Sequence, residues 1–267
     1  MTRMLALLDK ELADLRRNPA LFVPALLAGG LSMLLPFVLA VVVPALAGER
    51  LSESSDFEVA VEMYRDHPAL RALDPEAAVQ AWIFQQFLVL LVLTPVTGAM
   101  SIAAASIVGE KQARTLEPLL ATPLMTFELL AAKVLGAFLP ALALTAATFV
   151  VYLLGVVVFA EPGAFRALLL PTSLAVAFLL GPLLALAALQ LAVCVSSRVN
   201  DARSAQQIGA LVVLPLTAAF ILQITGMLRL TVPMLGAATL VLMGANIGLM
   251  LLGIRLFDRE SILTRWK

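Results

Sequence analysis

The sequence predicts an all-α membrane protein with six transmembrane helices. Two observations carry this. First, six stretches contain no Lys, Arg, Asp, Glu or His: 19–48, 77–109, 134–160, 167–197, 204–228 and 230–254. A helix rising about 1.5 Å per residue crosses a hydrocarbon core of about 30 Å in about 20 residues, and every stretch passes that length. Second, 61% of the residues are hydrophobic, only 13% are charged and the mean hydropathy is +1.00. Soluble domains carry about 25% charged residues, so a water-soluble fold of 267 residues has nowhere to hide this surface. The apolar runs are continuous rather than alternating, which selects helices over barrel strands. One six-helix domain, 1–267, accounts for the chain.

Residues 2–17 come first. Leu5, Leu8, Leu12 and Leu15 recur at helical spacing with Asp9, Lys10, Asp14 and Arg17 elsewhere. This is an amphipathic helix, 1–18, with Thr2 as its cap, expected to lie in the membrane interface before the chain turns inward at Asn18-Pro19. The first apolar run is too long for the core of a secretory signal and reads as a first span. That span is expected at 21–47, with Pro24, Pro36 and Pro44 inside it.

An acidic segment, 48–80, follows and is expected to be a solvated loop with one or two short helices. His67, the sole histidine, has no partner histidine or cysteine, so no metal site is expected. Span two is expected at 82–108, opening on Trp82 as an interfacial anchor. Thr94, Thr97 and Ser101 are placed to satisfy carbonyls freed by Pro95. Spans three and four are expected at 134–160 and 167–195, separated by a turn at Glu161-Pro162-Gly163. Spans five and six are expected at 207–226 and 235–254. Between them, 224–236 is apolar yet carries Gly226, Pro233 and Gly236, and a re-entrant hairpin is expected there.

Lys and Arg are distributed unevenly. With the N-terminus cytoplasmic, thirteen of the eighteen fall on the inner segments 1–18, 110–133, 198–203 and 255–267, and five on the outer ones. Positive charge on short loops stays cytoplasmic, so both termini are expected inside. Cys194 is the only cysteine, which rules out an intramolecular disulfide; it reads as a small buried hydrophobe.

Several function classes are excluded by what is missing. There is no Walker A pattern, no HExxH and no GxSxG. The six charge-free cores hold no ionisable side chain, which argues against an intramembrane protease, an ion pump or a proton-coupled carrier. With net charge zero, no nucleic-acid partner is expected. Gln190, Gln207, Gln223 and Asn246 sit at or near membrane depth. Two readings stand for them: lining a path, with Gln190, Gln223 and Asn246 the candidates, or bonding across helices. Gly244 and Gly248 form a GxxxG pattern, for which packing within the chain is favoured over a seam between copies.

The segment 109–133, GEKQARTLEPLLATPLMTFELLAAK, holds the most informative pattern. Leu116, Leu119 and Leu120 make an apolar side at helical spacing, and Thr126 is placed to cap a helix carrying Glu128. Gly109-Glu110, Thr115-Leu116-Glu117, Leu119-Leu120, Thr122-Pro123 and Lys133 match the inner loop of the type-2 ABC exporter permeases, which this chain resembles. Arg114 and Ala132 depart from it by standing where glycine is usual. Residues 196–201, SSRVND, with Ala205-Gln206-Gln207 and Pro215, resemble the family's second inner loop and fifth span. The tail 257–266 is similar to the ending of some members.

The resemblance implies a cytoplasmic coupling helix between spans two and three, with Glu110, Lys111, Arg114, Thr115, Leu116, Glu117 and Leu120 as ATPase-coupling residues. It implies a dimer with a second permease copy and two copies of a separate ABC ATPase subunit. ATP and Mg would be bound by that partner and no cofactor by this chain, which then has no enzyme activity of its own. The expected function is export of a substrate across a bacterial-type inner membrane. The alternative is a membrane scaffold or envelope-remodelling subunit that recruits a cytoplasmic ATPase without moving a solute.

Overall fold

A computed structural model of the chain describes residues 2–57, 60–61, 64, 70–112, 125–196, 207, 211, 213–225, 227–228 and 230–256. Among them every regular element is helical. Helix α1 covers Thr2–Arg17. Helix α2, Pro19–Ala47, opens with a 3-10 turn. Helix α3 runs Pro75–Leu91 and, after a break at Val92, Leu93–Gln112. Helix α4 is Thr126–Phe159, α5 is Pro171–Ser196, α6 is Val213–Ile224 and α7 is Val232–Leu256.

Five of these, α2, α3, α4, α5 and α7, are long and apolar enough to cross a membrane. Within the expected fifth span, 207–226, the one continuous described helix is α6, of 12 residues, short of the roughly 20 a crossing needs, and the isolated described residues Gln207 and Leu211 are helical too. At 224–236 the described residues give the end of α6, a turn in which the Leu228 N–H donates to Leu222 O at 2.8 Å, and the start of α7 at Val232.

Charged residues are poor markers of where helices stop. Helix α4 begins at Thr126, eight residues before the expected 134, and α3 begins at Pro75, inside the expected outer loop. Asp74 explains the second start: its carboxylate accepts the Glu76 N–H at 3.0 Å, and Pro75 occupies the first helical position, where its missing N–H costs nothing. At α4, Thr126 is the first helical residue rather than the cap. The Glu128 carboxylate instead reaches back to accept the Met125 N–H at 3.0 Å.

Prolines inside α2 and α5 are handled by local widening. A π turn at Val38–Val42 closes with the Val43 N–H on Val38 O, and the next residue is Pro44. A second at Val176–Leu180 closes with the Gly181 N–H on Val176 O, followed by Pro182. Each shifts the bonding register immediately before a residue that has no N–H to give. Near Pro95, Thr97 donates to Leu93 O at 2.7 Å, one turn back on its own helix, and not to Leu91 O, the carbonyl that Pro95 leaves without its helical donor; the Thr94 hydroxyl has no partner among the described residues. Leu90 O is taken by Ser32 of α2 at 2.9 Å, a cross-helix bond the sequence pattern did not suggest.

Helix α3 is the hub. Of its most apolar window 83% is buried, against 22% for α2 and α4, 50% for α5 and 11% for α7. Helices α2, α4, α5 and α6 pack directly on it, while α7 packs on α5 and α1 on α4. Small residues permit this crowding: a side-chain carbon at Gly98 would lie 3.0 Å from the Ala25 Cβ. Two apolar cores result. One, near the α1 end, joins Val96, Ala103 and Ile107 to Leu130, Ala137, Leu189 and Ala192. The other, near the far end, joins Phe84 and Leu88 to Tyr152, Val156 and Leu168, with Phe37 seated 4.9 Å from Phe84 and 5.8 Å from Tyr152 between ring centroids.

At the far end the acidic segment is partly built into the bundle. The buried Glu76 carboxylate accepts the N–H groups of Leu51 and Ser52 at 3.2 and 2.9 Å. Short 3-10 turns stand at Leu51–Glu53 and Ser55–Phe57, and Phe57 packs edge-on against Trp82 at 6.2 Å. Tyr64, its phenol pKa pushed up by burial, donates to Gln85 Oε1 at 2.6 Å; Gln85 in turn donates to Ser173 Oγ at 3.0 Å. His67 lies outside the described residues.

Candidate functional site

Helix α1 does not present the face expected of it. Leu15 is buried and Leu8 and Leu12 are half-buried, but Leu5 is exposed; Leu7 and Glu11 complete the buried side instead. The stripe 7, 11, 15 thus carries a carboxylate at its centre. Leu7 meets Leu129 and Ala132 of α4. Close approach at Glu11 depends on Gly136, where a side-chain carbon would stand 2.8 Å from the Glu11 Cβ.

The partner of Glu11 is Lys133. Its side chain is 3% exposed, two turns inside α4, and its ammonium lies 2.9 Å from Glu11 Oε1, 2.7 Å from Glu110 Oε2 and 2.9 Å from Ser106 Oγ. Hydrogen bonds to Glu11 and Ser106 and the ion pair with Glu110 together answer the buried ammonium. Ser106 passes its own proton to Glu11 Oε2 at 2.8 Å. Lys10 completes the group, donating to Glu110 Oε1 at 2.7 Å and standing 4.0 Å from Glu11.

Burial alone would lower the Lys10 pKa. The hydrogen bond to Glu110 and the charges of Glu110, Glu11 and Asp14 outweigh it and hold the ammonium above its ordinary 10.5. Its contribution is therefore complete at neutral pH and is lost only as pH rises through that raised value. Beside the cluster a cavity of about 390 Å³ opens between Lys10, Asp14 and Asn18 on one side and Ser106, Gly109 and Glu110 on the other.

Glu110 is the one expected coupling residue whose side chain the structure describes. It ends the crossing part of α3 and pairs with lysines of this same chain. The backbone of Lys111 continues α3; Arg114, Thr115, Leu116, Glu117 and Leu120 lie outside the described residues. So do 197–206 and the tail 257–267.

The membrane amides are not brought together by any described contact. Asn246 of α7 donates to Leu183 O of α5 at 3.0 Å and to Leu242 O at 2.8 Å, the cross-helix role. Gln190 and Gln223 are buried, each with an Oε1 that has no partner among the described residues. The expectation for Gly244 and Gly248 is corrected. Both are exposed, and a side-chain carbon on either would meet nothing within 4 Å, so they do not pack within the described part of the chain. Cys194 is buried, with its thiol 3.8 Å from Leu249 O. Among the described residues no three His, Cys, Asp or Glu side chains are placed to hold a metal ion.

The residues that sequence reading missed are Glu11 and Ser106. Glu11 was visible as a carboxylate four residues from Leu7 and four from Leu15, inside an apolar stripe; such a group needs a buried cation.

Five helices long and apolar enough to cross a membrane, one of them the hub of the bundle, with a charge cluster seating an N-terminal helix on it, define a multi-pass helical membrane protein. The profile of the family described as ABC-2 family transporter protein matches residues 5–236, and the chain belongs to that family. No curated protein and no solved structure matches it.

Proposed function

We propose that this chain is the membrane subunit of an ATP-binding-cassette exporter. Its membership of the ABC-2 transporter family is the observation that carries the reading. Residues 1–267 form one permease domain of six spans, with α6 extended toward 207 as the fifth and 224–236 dipping back into the outer leaflet. The thirteen Lys/Arg of the inner segments keep both termini on the cytoplasmic side of a bacterial-type inner membrane. Two copies enclose the path, and two copies of a separate ATPase, which bind ATP and Mg, drive it.

The segment 110–123 docks on that ATPase, with Lys111, Arg114, Thr115, Leu116, Glu117 and Leu120 as the contact set and Glu110 at its base. The 2.7 Å pairing of Glu110 with Lys133 supports this, because it joins the two ends of the segment 110–133 and gives the loop a fixed footing. Gln190, Gln223 and Asn246 each keep a buried amide oxygen with no partner among the described residues, which supports them as path-lining candidates; Asn246 also spends its amide N–H groups on Leu183 O and Leu242 O.

The test is co-purification in nanodiscs with the candidate ATPase, followed by ATP hydrolysis with and without this chain. A two-plus-two complex with altered hydrolysis is expected, and Glu117→Lys is expected to abolish it. Folded protein that binds no ATPase, or Glu117→Lys complex formed in unchanged yield, would overturn the docking.

A further inference from the structure

Four charges meet where α1 lies on the bundle, and they divide into two neutral halves. Helix α1 supplies Lys10 and Glu11. The bundle supplies Glu110 and Lys133, one at each end of the segment 110–133. Within the bundle half, Lys133 holds Glu110 at 2.7 Å. Across the seam, Lys10 reaches Glu110 at 2.7 Å and Glu11 meets Lys133 at 2.9 Å.

Lifting α1 away therefore leaves no net charge uncompensated on either side. Lys10 and Glu11 enter water, while Glu110 and Lys133 keep each other. A permanently fused seam gains little from such an arrangement, since well-packed apolar side chains of similar volume serve as well or better than a buried ion pair. One other feature of the seam suits separation, beside an apolar part in which Leu7 meets Leu129 and Ala132 and Leu15, with Leu12, joins the main core. One edge opens into the cavity of about 390 Å³ that Lys10, Glu11 and Glu110 help to line, so opening starts from a seam that water already reaches.

We propose that α1 is a detachable clamp that leaves the bundle and returns in each ATPase cycle. The Glu110–Lys133 pair stays closed and makes the base of the coupling segment a single handle. Lys10 and Glu11, with Ser106 receiving Glu11, are positioning residues that engage and release it. Docked, the clamp ties that handle to α2, which follows α1 directly. The inference rests on ATPase docking at 110–123.

The experiment uses Leu7→Cys with Ala132→Cys in a Cys194→Ala background, reconstituted in nanodiscs with the ATPase. Oxidation is expected to link the pair and to lower permease-dependent ATP hydrolysis at least tenfold, with complex yield unchanged and activity restored by dithiothreitol. Full cross-linking with unchanged hydrolysis overturns the clamp, as does a pair that never cross-links in any nucleotide state. A reduced protein that binds no ATPase removes the docking reading and the clamp with it, an outcome distinct from both. In a second arm, Lys10→Gln with Glu11→Gln leaves Glu110 and Lys133 paired. It is expected to slow cross-linking at least threefold in protein that still folds and binds ATPase; an unchanged rate would assign docking to the apolar contacts and overturn the role of the charges.

Discussion

Replacing Lys133 by methionine keeps most of the side-chain length and removes one buried charge. In the native protein that ammonium answers Glu11, Glu110 and Ser106 at once. Without it, Lys10 still holds Glu110 at 2.7 Å, but it stands 4.0 Å from Glu11. Glu11, whose side chain is 9% exposed, is left with the Ser106 hydroxyl alone. Removing one partner of a buried pair costs about 3–5 kcal/mol. The neighbouring cavity admits water to this carboxylate, so the lower end applies: about 3 kcal/mol, or more than a hundredfold in the folding equilibrium at about 1.4 kcal/mol per tenfold. The origin of that cost is testable. Adding Glu11→Gln removes the stranded charge and leaves the neutral Lys10–Glu110 pair, so the double variant should recover about 2 kcal/mol. Equilibrium unfolding in mixed dodecylmaltoside–dodecyl sulfate micelles, followed by circular dichroism, measures the wild type, both single variants and the double variant. A double variant as unstable as the sum of the two singles would refute the reasoning, because the loss would then come from packing rather than charge.

Three further outcomes are expected. Gly136→Val puts a branched side chain where even one carbon would lie 2.8 Å from Glu11. It should force α1 off α4 at a cost of about 1–3 kcal/mol, read as faster thiol labelling of Leu7→Cys in a Cys194→Ala background. Tyr152→Phe removes a fully buried hydroxyl that donates to Phe84 O at 2.9 Å while keeping the ring contacts with Phe37 and Phe84. A loss of about 0.5–1.5 kcal/mol in micelle unfolding is expected. Gly244→Leu and Gly248→Leu, on an open face of α7, should change monomer stability by no more than about 0.5 kcal/mol; a larger loss in the same assay would show that the face is packed by part of this chain.

What the sequence made legible follows from how each signal arises. Apolar length survives any detail of packing, so five crossing helices appear close to where charge-free stretches lie. The same rule misplaces their ends. Cutting at charged residues assumes that charge marks water, yet Lys133 sits two turns inside α4 and is buried, because three acceptors from two other helices converge on it. That convergence joins residues about a hundred positions apart, Lys10 and Glu11 with Ser106, Glu110 and Lys133, and no periodicity within one helix can register it. The amphipathic pattern of α1 turned Leu8, Leu12 and Leu15 inward as expected but missed Leu7 and Glu11 for a related reason. Helical spacing allows the stripe 5, 8, 12, 15 and the stripe 7, 11, 15 alike, and hydrophobicity alone favours the one without a carboxylate. The second is buried because a buried cation waits for Glu11 and because Gly136 lets the two backbones approach. A polar group in an apolar stripe is thus better read as half of a contact than as an interruption. Here the other half is Lys133, the lysine that closes the segment 109–133.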